Sequence, residues 1–362
     1  MESSMNAPEY FSHEEKAHPF PMNRWWIAGF SWELKDQPLA RKILGHAIVF
    51  FRTPNGQLAA LEDRCCHKEL PLSMGSIENT GLRCGYHGLL YNHAGQCIEI
   101  PGQSVIPSKA CVRTYPFLER DQILWIWIGE SPAHQPLDEP PAYPFHRDPA
   151  FEFGGECYHY DAPYQLIHDN LMDLSHLGYV HTKTIGGNPS VHMNARLNVS
   201  QDGDVVRVVR LMPGSQPPPT YTAAWPFKGL VDRWQEVEFH VSHVLVWSGA
   251  MDEGSGSFDD SNRVGFHMRG LHGVTPESES TTHYFWTIAN NPQPGQSNVT
   301  QLVIDQTAAT FLEDKWVIEA QWKNQQQFQE RTTLNIHVDG GPNRARRVIE
   351  RLSQKTTASA LA

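Results

Sequence analysis

Four residues in the first quarter of the chain could grip a metal centre between two loops. Cys65-x-His67 is followed, after a 16-residue spacer, by Cys84-Gly-Tyr-His87. Two thiolates and two imidazoles suit a tetrahedral zinc ion. They also suit a two-iron, two-sulfur cluster, with both cysteines on one iron and both histidines on the other. Zinc fingers usually pair like residues. Here each loop supplies one Cys and one His, which favours a cluster held from both loops over two unrelated Cys/His contacts. Neutral imidazoles in place of two thiolates would raise its reduction potential. Gly85 and Gly88 would let backbone amides approach the sulfurs. In "CCHKELPLS" the expected ligand is Cys65, because Cys-x-His points both side chains at one centre, and Cys66 is expected to be a buried spectator.

A second group of donors lies in "HDNLMDLSHLGYVHTK", residues 168–183. A non-haem ferrous site needs two histidines and one carboxylate on one octahedral face, with positions left for dioxygen and substrate. His176 and His181 could supply the imidazoles, but five residues apart they stand about 140° apart on a regular helix. The helix is therefore expected to widen into a π-turn, or to end near Gly178. Asp173, three residues before His176, is placed to orient that imidazole, although a solvated helix-face charge would look the same. The carboxylate must come from elsewhere. "TFLEDKWVIEAQW" offers Glu313, Asp314 and Glu319, residues that also serve as ordinary partners of a helix dipole.

These donors need scaffolds, and the pattern of the chain supplies two. Residues 47–63, "AIVFFRTPNGQLAALED", read as two strands around a tight Asn55-Gly56 turn, and "QILWIWIG" reads as a buried strand. Residues 23–130 thus look like a small all-β domain. The proline-rich seam of residues 131–149 reads as a linker or a wrap-around segment. Beyond it, helical spacing over residues 164–180 and 307–329 accompanies strand-like runs at 205–210, 235–240, 243–247 and 283–288. The fold class is α+β, an all-β domain followed by an antiparallel sheet covered by helices. The expected divisions are an extension (residues 1–21), the cluster domain (22–137), the catalytic domain (138–353) and a flexible tail (354–362).

Composition narrows the function classes. The 362 residues are 40% hydrophobic, with 11 Trp and 16 Phe, enough for packed cores. A formal charge of −11 without any basic run argues against nucleic-acid binding. Six unevenly spaced cysteines form no disulfide framework. No signal-peptide core or membrane-length apolar run is evident, so a cytoplasmic protein is expected. No glycine fingerprint for a dinucleotide is evident either.

Taken together, "CCHKELPLSMG", "CGYHG" and D-x2-H-x4-H resemble the oxygenase component of Rieske non-haem iron oxygenases. "DNLMDLSHLGYVH", "TPESESTTHYFW", "LEDK" and "RARRVIERL" are most similar to the branch containing vanillate O-demethylase, dicamba monooxygenase and toluenesulfonate methyl-monooxygenase. The family pattern carries Pro and Arg where Cys66 and Lys68 stand here, while all four ligand positions match. The resemblance implies a [2Fe–2S] cluster on Cys65, His67, Cys84 and His87, and a mononuclear Fe(II) on His176, His181 and Asp314. It implies a homotrimer in which His87, Asp173 and His176 carry electrons between subunits, with Asn170 near the iron and His272 facing substrate. A sheet histidine bonded to backbone would also explain His272. It further implies a reductase partner holding flavin and a second iron-sulfur centre, and O-demethylation of a methoxylated aromatic acid. Methyl hydroxylation, ring dihydroxylation and a bare electron carrier are the alternatives.

Overall fold

The computed structural model describes residues 19–131, 134–293, 298–328 and 333–359, with side chains through residue 353. The expected extension therefore lies outside the described residues, apart from its last three. The N-terminal part contains only strands and short 3-10 turns: β1 (Arg24–Phe30), β2 (Leu39–Ile43), β3 (His46–Arg52), β4 (Leu58–Glu62), β5 (Ser76–Glu78), β6 (Gly81–Arg83), β7 (Leu90–Tyr91), β8 (Cys97–Glu99), β9 (Phe117–Arg120) and β10 (Ile123–Ile128). They form three antiparallel sheets, in the orders β1-β10-β9, β2-β3-β4 and β5-β6-β7-β8. The alternating Trp and Ile of "ILWIWI" put β10 in the middle of its sheet, buried along most of its length. The β3–β4 hairpin forms, but its connection is longer than the expected two-residue turn. Arg52 pairs with Leu58, and only Gly56 has a positive φ, +89°. Pro54 starts a turn closed by Gly56 N–H donating to Thr53 O at 2.8 Å, which a two-residue hairpin cannot accommodate.

The C-terminal part is built on one seven-stranded antiparallel sheet, β11 (Glu152–Tyr160), β12 (Arg196–Asp202), β13 (Val205–Ser215), β14 (Val231–His240), β15 (His243–Asp252), β16 (Phe266–Pro276) and β17 (Thr282–Asn290), in the order β11-β17-β16-β15-β14-β13-β12. Its helices are α1 (Tyr164–Met172), α2 (Leu177–Val180), α3 (Pro189–Met193), α4 (Pro219–Ala224), α5 (Val299–Gln327) and α6 (Gly340–Ser359). Helix α5 starts eight residues before the expected position, and α6 continues through most of the segment expected to be a tail. Along β16 the side chains alternate. Gly270 and His272 face the helices, whereas Leu271, with Phe285 of β17, packs on Trp25, Ile27 and Trp125 of the N-terminal part.

The proline-rich seam is irregular, as expected, and of the two expected forms it takes the wrap-around one, woven into both halves. Trp25 Nε1 donates to Asp138 O at 2.7 Å, and Tyr143 Oη donates to Arg269 O at 2.8 Å. Thr275 Oγ1 donates to Ile27 O across the same boundary, at 2.7 Å. Among the described residues, no helix is long and apolar enough to cross a membrane, and all six cysteines are free.

Candidate metal centres and pocket

The two cluster loops have nearly the same backbone. Cys65 N–H donates to Leu70 O, and Glu69 N–H returns to Cys65 O. Cys84 N–H donates to Leu89 O, and Gly88 N–H returns to Cys84 O. The fifth residue of each turn has positive φ, Glu69 at +59° and Gly88 at +74°. Cys65 and Cys84 are both 2% exposed above a core that includes Phe51, Leu61 and Leu82. Burial, together with the neighbouring Cys65, pushes the Cys84 thiol up. His67 and His87 lie at the surface with ring centroids 4.5 Å apart. Buried sulfurs on one side and solvent-facing imidazoles on the other fit a two-iron cluster seated edge-on at the surface. Cys66 differs from expectation. It is exposed, as are His67, Lys68 and Glu69 after it. Tyr91 Oη still lies 3.1 Å from its Sγ and 3.2 Å from the Sγ of Cys65.

The second site also forms, by a route different from a π-turn. Helix α1 ends at Met172, and Asp173 leaves helical geometry at φ −127°, ψ 97°. Its carboxylate accepts from Ser175 N–H at 2.9 Å and Ser175 Oγ at 3.0 Å, capping a 3-10 turn that ends at His176. An Asp that bonds its own backbone two residues on competes with the helix, which is why the break falls here rather than at Gly178. The short α2 then delivers His181. Asp173 does orient His176, but through its main-chain oxygen, 2.7 Å from Nδ1, and not through its carboxylate.

The Nε2 atoms of His176 and His181 lie 3.3 and 3.0 Å from Asp314 Oδ1. The three donor groups all lie within 4.8 Å of one another. Ligands at neighbouring corners of an octahedron, each about 2.1 Å from a common ion, would stand about 3 Å apart, so this set fits a metal. Asn170 Nδ2 donates to Asp314 Oδ1 at 2.9 Å. Glu313, an alternative third ligand in sequence, instead meets His181 Nδ1 at 2.7 Å and fixes that ring with Nε2 pointing inward. Glu319 accepts from Asp161 N–H and pairs with Lys315, away from the three donors. Burial opposes ionisation of Asp314, but its hydrogen bonds to both histidines prevail and hold the carboxyl well below the usual range. Burial likewise opposes a charged His181, which its two carboxylate neighbours nevertheless raise.

Beside this cluster lies a cavity of about 630 Å³, counting its mouth, with His176, His181, Asp314 and Asn170 in one wall. Leu171, Leu177, Val246, Met268, Ile288 and Phe311 make the rest largely apolar, as expected for a small-molecule site. His272 lines it as well. Its Nδ1 is 2.7 Å from Tyr284 Oη, and burial pushes its pKa down to about 3, so the ring is neutral. Gln235 and Ser248 also line the cavity and were missed from sequence. The available signal was a polar residue at a core-facing position of an otherwise apolar alternation, as at Ser248 between Val246 and Ala250 in "HVLVWSGAMD".

An electron-accepting cluster site on a β domain, joined to a two-histidine, one-carboxylate site open to an apolar pocket, defines a terminal oxygenase. The chain belongs to the Rieske non-haem iron oxygenases. Residues 24–116 match the Rieske [2Fe-2S] domain, and residues 160–355 match the vanillate O-demethylase oxygenase C-terminal domain. It is 35% identical to the vanillate O-demethylase oxygenase subunit of a Pseudomonas species, over 92% of this chain and 95% of that protein. It is 32% identical to the toluene-4-sulfonate monooxygenase system iron-sulfur subunit of Comamonas testosteroni, over 92% and 97%. The crystal structure of dicamba monooxygenase bound to dicamba superposes with a TM-score of 0.85 at 32% identity, covering 94% of this chain and 99% of that one. The protein is therefore an enzyme of the monooxygenase type, with a [2Fe–2S] cluster and a mononuclear iron as cofactors and a separate reductase as electron source.

Proposed function

We propose that this chain hydroxylates the methyl carbon of an aromatic methyl ether or methyl arene. Cys65, His67, Cys84 and His87 hold the cluster, and His176, His181 and Asp314 hold the iron. The observation that carries this reading is the His176–His181–Asp314 group, with His181 and Asp314 buried and His176 half-buried, opening directly onto an apolar cavity. Relatives named for vanillate and toluene-4-sulfonate, both methyl-bearing aromatics, support the substrate class. When bound, the cluster supplies electrons one at a time and the iron supplies dioxygen activation. The chain's own residues position and protect. The carbonyl of Asp173 and the carboxylate of Glu313 fix the two imidazoles with Nε2 inward, and Asn170 holds Asp314. Leu171, Met268 and Phe311 exclude water from the reacting methyl group.

One oxygen atom enters a C–H bond. The other leaves as water, taking two electrons from the reductase and two protons. If the methyl group sits on oxygen, the hydroxylated product breaks into a phenol and formaldehyde. The reductase is expected to carry flavin and its own iron-sulfur centre. We infer a homotrimer in which Asp173 links His87 of one copy to His176 of the next. Supporting this, His87 is exposed, with Tyr86 beside it at 3.9 Å and 63% exposed, and Tyr179 and Trp316, 66% and 73% exposed, flank the iron side.

The test is reductase-dependent dioxygen uptake and formaldehyde release with a panel of methoxylated and methylated aromatics. Red-brown protein with about three irons per chain is expected. Colourless protein, or uptake that persists in His176→Ala, would refute the reading.

A further inference from the structure

The pocket floor is one face of the large sheet, and strand register fixes where each floor residue stands. Gln235 on β14 pairs with Ser248 on β15, which pairs with Met268 on β16. His272 stands four residues further along β16. At ~3.3 Å per residue and ~4.8 Å per strand, Gln235 and His272 are anchored roughly 13 Å apart along the strands and roughly 10 Å apart across them. They mark opposite ends of the floor. Between them Gly270 leaves room, and the His272 ring leans into it. A Cβ on Gly270 would come within 2.7 Å of His272 Nε2.

The two ends differ in chemistry. Tyr284 Oη has its partner in His272 Nδ1, and a buried phenol keeps its proton and donates it. In the tautomer whose Nδ1 accepts from Tyr284, His272 Nε2 carries the proton and offers a donor to the pocket. At the far end Gln235 is 2% exposed, and its Oε1 is buried without a hydrogen-bond partner. Ser248 adds a hydroxyl beside it. Whichever way the amide is turned, this pair presents an acceptor together with donors. A substituent that itself donates meets the unpartnered Gln235 Oε1, whereas a carboxylate or sulfonate, an acceptor only, engages the donors and leaves that oxygen unmet.

Charge points the same way. Among the described residues lining the pocket there is no Lys or Arg. Arg233, two residues along β14, turns its guanidinium to the carbonyls of Ile185 and Gly186 at 3.2 and 3.5 Å and lies over the Tyr221 ring. An anionic substituent would thus be buried without a cation, which is costly.

We propose that the substrate ring carries an uncharged hydrogen-bond donor, a phenolic hydroxyl or an N–H, at the end away from His272, and that Gln235 with Ser248 reads it. This rests on the oxygenase reading and narrows its substrate, away from the aromatic acid that the family resemblance implies.

The metal-loaded, full-length protein is titrated with 4-methoxyphenol, 4-methylanisole, 4-methoxybenzoate and 4-methoxybenzenesulfonate, with binding followed by tryptophan fluorescence. 4-Methoxyphenol binds roughly tenfold or more tighter than each of the others. Gln235→Leu erases that preference and Ser248→Ala narrows it, both with cluster absorption intact as proof of folding. Tightest binding of the carboxylate or sulfonate, a preference that survives in Gln235→Leu, or no binding of 4-methoxyphenol would each overturn the proposal. Dioxygen uptake with reductase is scored separately. Its absence with all four compounds counts against the oxygenase reading and leaves the binding result standing.

Discussion

Cys65 and Cys66 are adjacent, share one tyrosine hydroxyl, and have opposite fates. Cys65 is buried and faces Cys84 across the two matched turns, while Cys66 is exposed. The Cys66 N–H donates to Tyr91 Oη at 3.2 Å, beside the 3.1 Å contact of its thiol, and that backbone bond does not depend on the side chain. Cys66→Ala should therefore retain the cluster's visible absorption, and Cys65→Ala should bleach it. Bleaching in the Cys66 variant alone would reverse the ligand assignment. Spacing put Cys65 forward as the ligand, and the structure buries its thiol beside that of Cys84. Spacing could not give the exposure of Cys66, because that depends on which way the turn faces the small core beneath it. Glu313 shows the same limit. A carboxylate pair in sequence is symmetric, and only the rotation of α5 decides that Asp314 turns inward while Glu313 braces His181.

At the scale of elements, the iron site depends on a helix that fails at the right place. Asp173 stops α1, and a 3-10 turn and the four-residue α2 follow, so close packing rather than helix continuity must hold His176 and His181. Gly178 supplies that packing. A Cβ there would come within 2.4 Å of Pro189 Cα, a backbone atom with no room to yield. Gly178→Ala should push α2 from α3 and lower mononuclear iron occupancy, measured by metal analysis, while the cluster absorption stays at wild-type level. Full iron content in this variant would show that α2 is not held there. The strands of the hairpins β13–β14 and β15 were legible because their apolar residues alternate. β11 and β12 were not: "EFGGECYHY" has two glycines that admit Ile304 and the Trp286 backbone, and β12 is polar and mostly exposed. The linker hid a further element, the 3-10 turn carrying His146, whose ring joins Asp121 O at 2.7 Å to Thr287 Oγ1 at 2.8 Å. Burial pushes His146 down to about 4, and His267 and His283 likewise. Above pH ~6.5 these rings are neutral in folded and unfolded chains alike, and stability does not depend on them. Below it the unfolded chain takes up protons first, so each ring costs about 1.4 kcal/mol per pH unit down to pH 4. The urea midpoint should fall as pH drops from 6.5, and His146→Gln should flatten that slope by about one proton's share. An unchanged slope would mean that His146 titrates normally.

For the whole molecule, the question is whether the two centres of one chain serve each other or serve neighbouring copies. The imidazole side of the cluster site opens to solvent, not towards the pocket of its own chain. Asp173 is partly exposed, and its carboxylate lies 3.6 Å from the guanidinium of buried Arg210, near the surface and beside His176. A transfer between copies makes a prediction that a transfer within one chain does not. On the proposed ligand assignment, Cys65→Ala chains should lack the cluster and keep the iron ligands, and His176→Ala chains should lack an iron ligand and keep the cluster. Each variant alone should be inactive. Co-expressed and purified through different tags, the mixed assembly should recover a measurable fraction of wild-type dioxygen uptake, because the intact cluster of one copy can feed the intact iron of the next. The recovered activity should elute at a mass near three times 41.0 kDa. It should vanish when the Cys65→Ala chains also carry Asp173→Asn, a change that keeps the shape and the Ser175 cap but removes the charge beside the working iron. A mixture that stays inactive while both variants retain their remaining metal would place the electron route within a single chain and leave Asp173 as a helix cap.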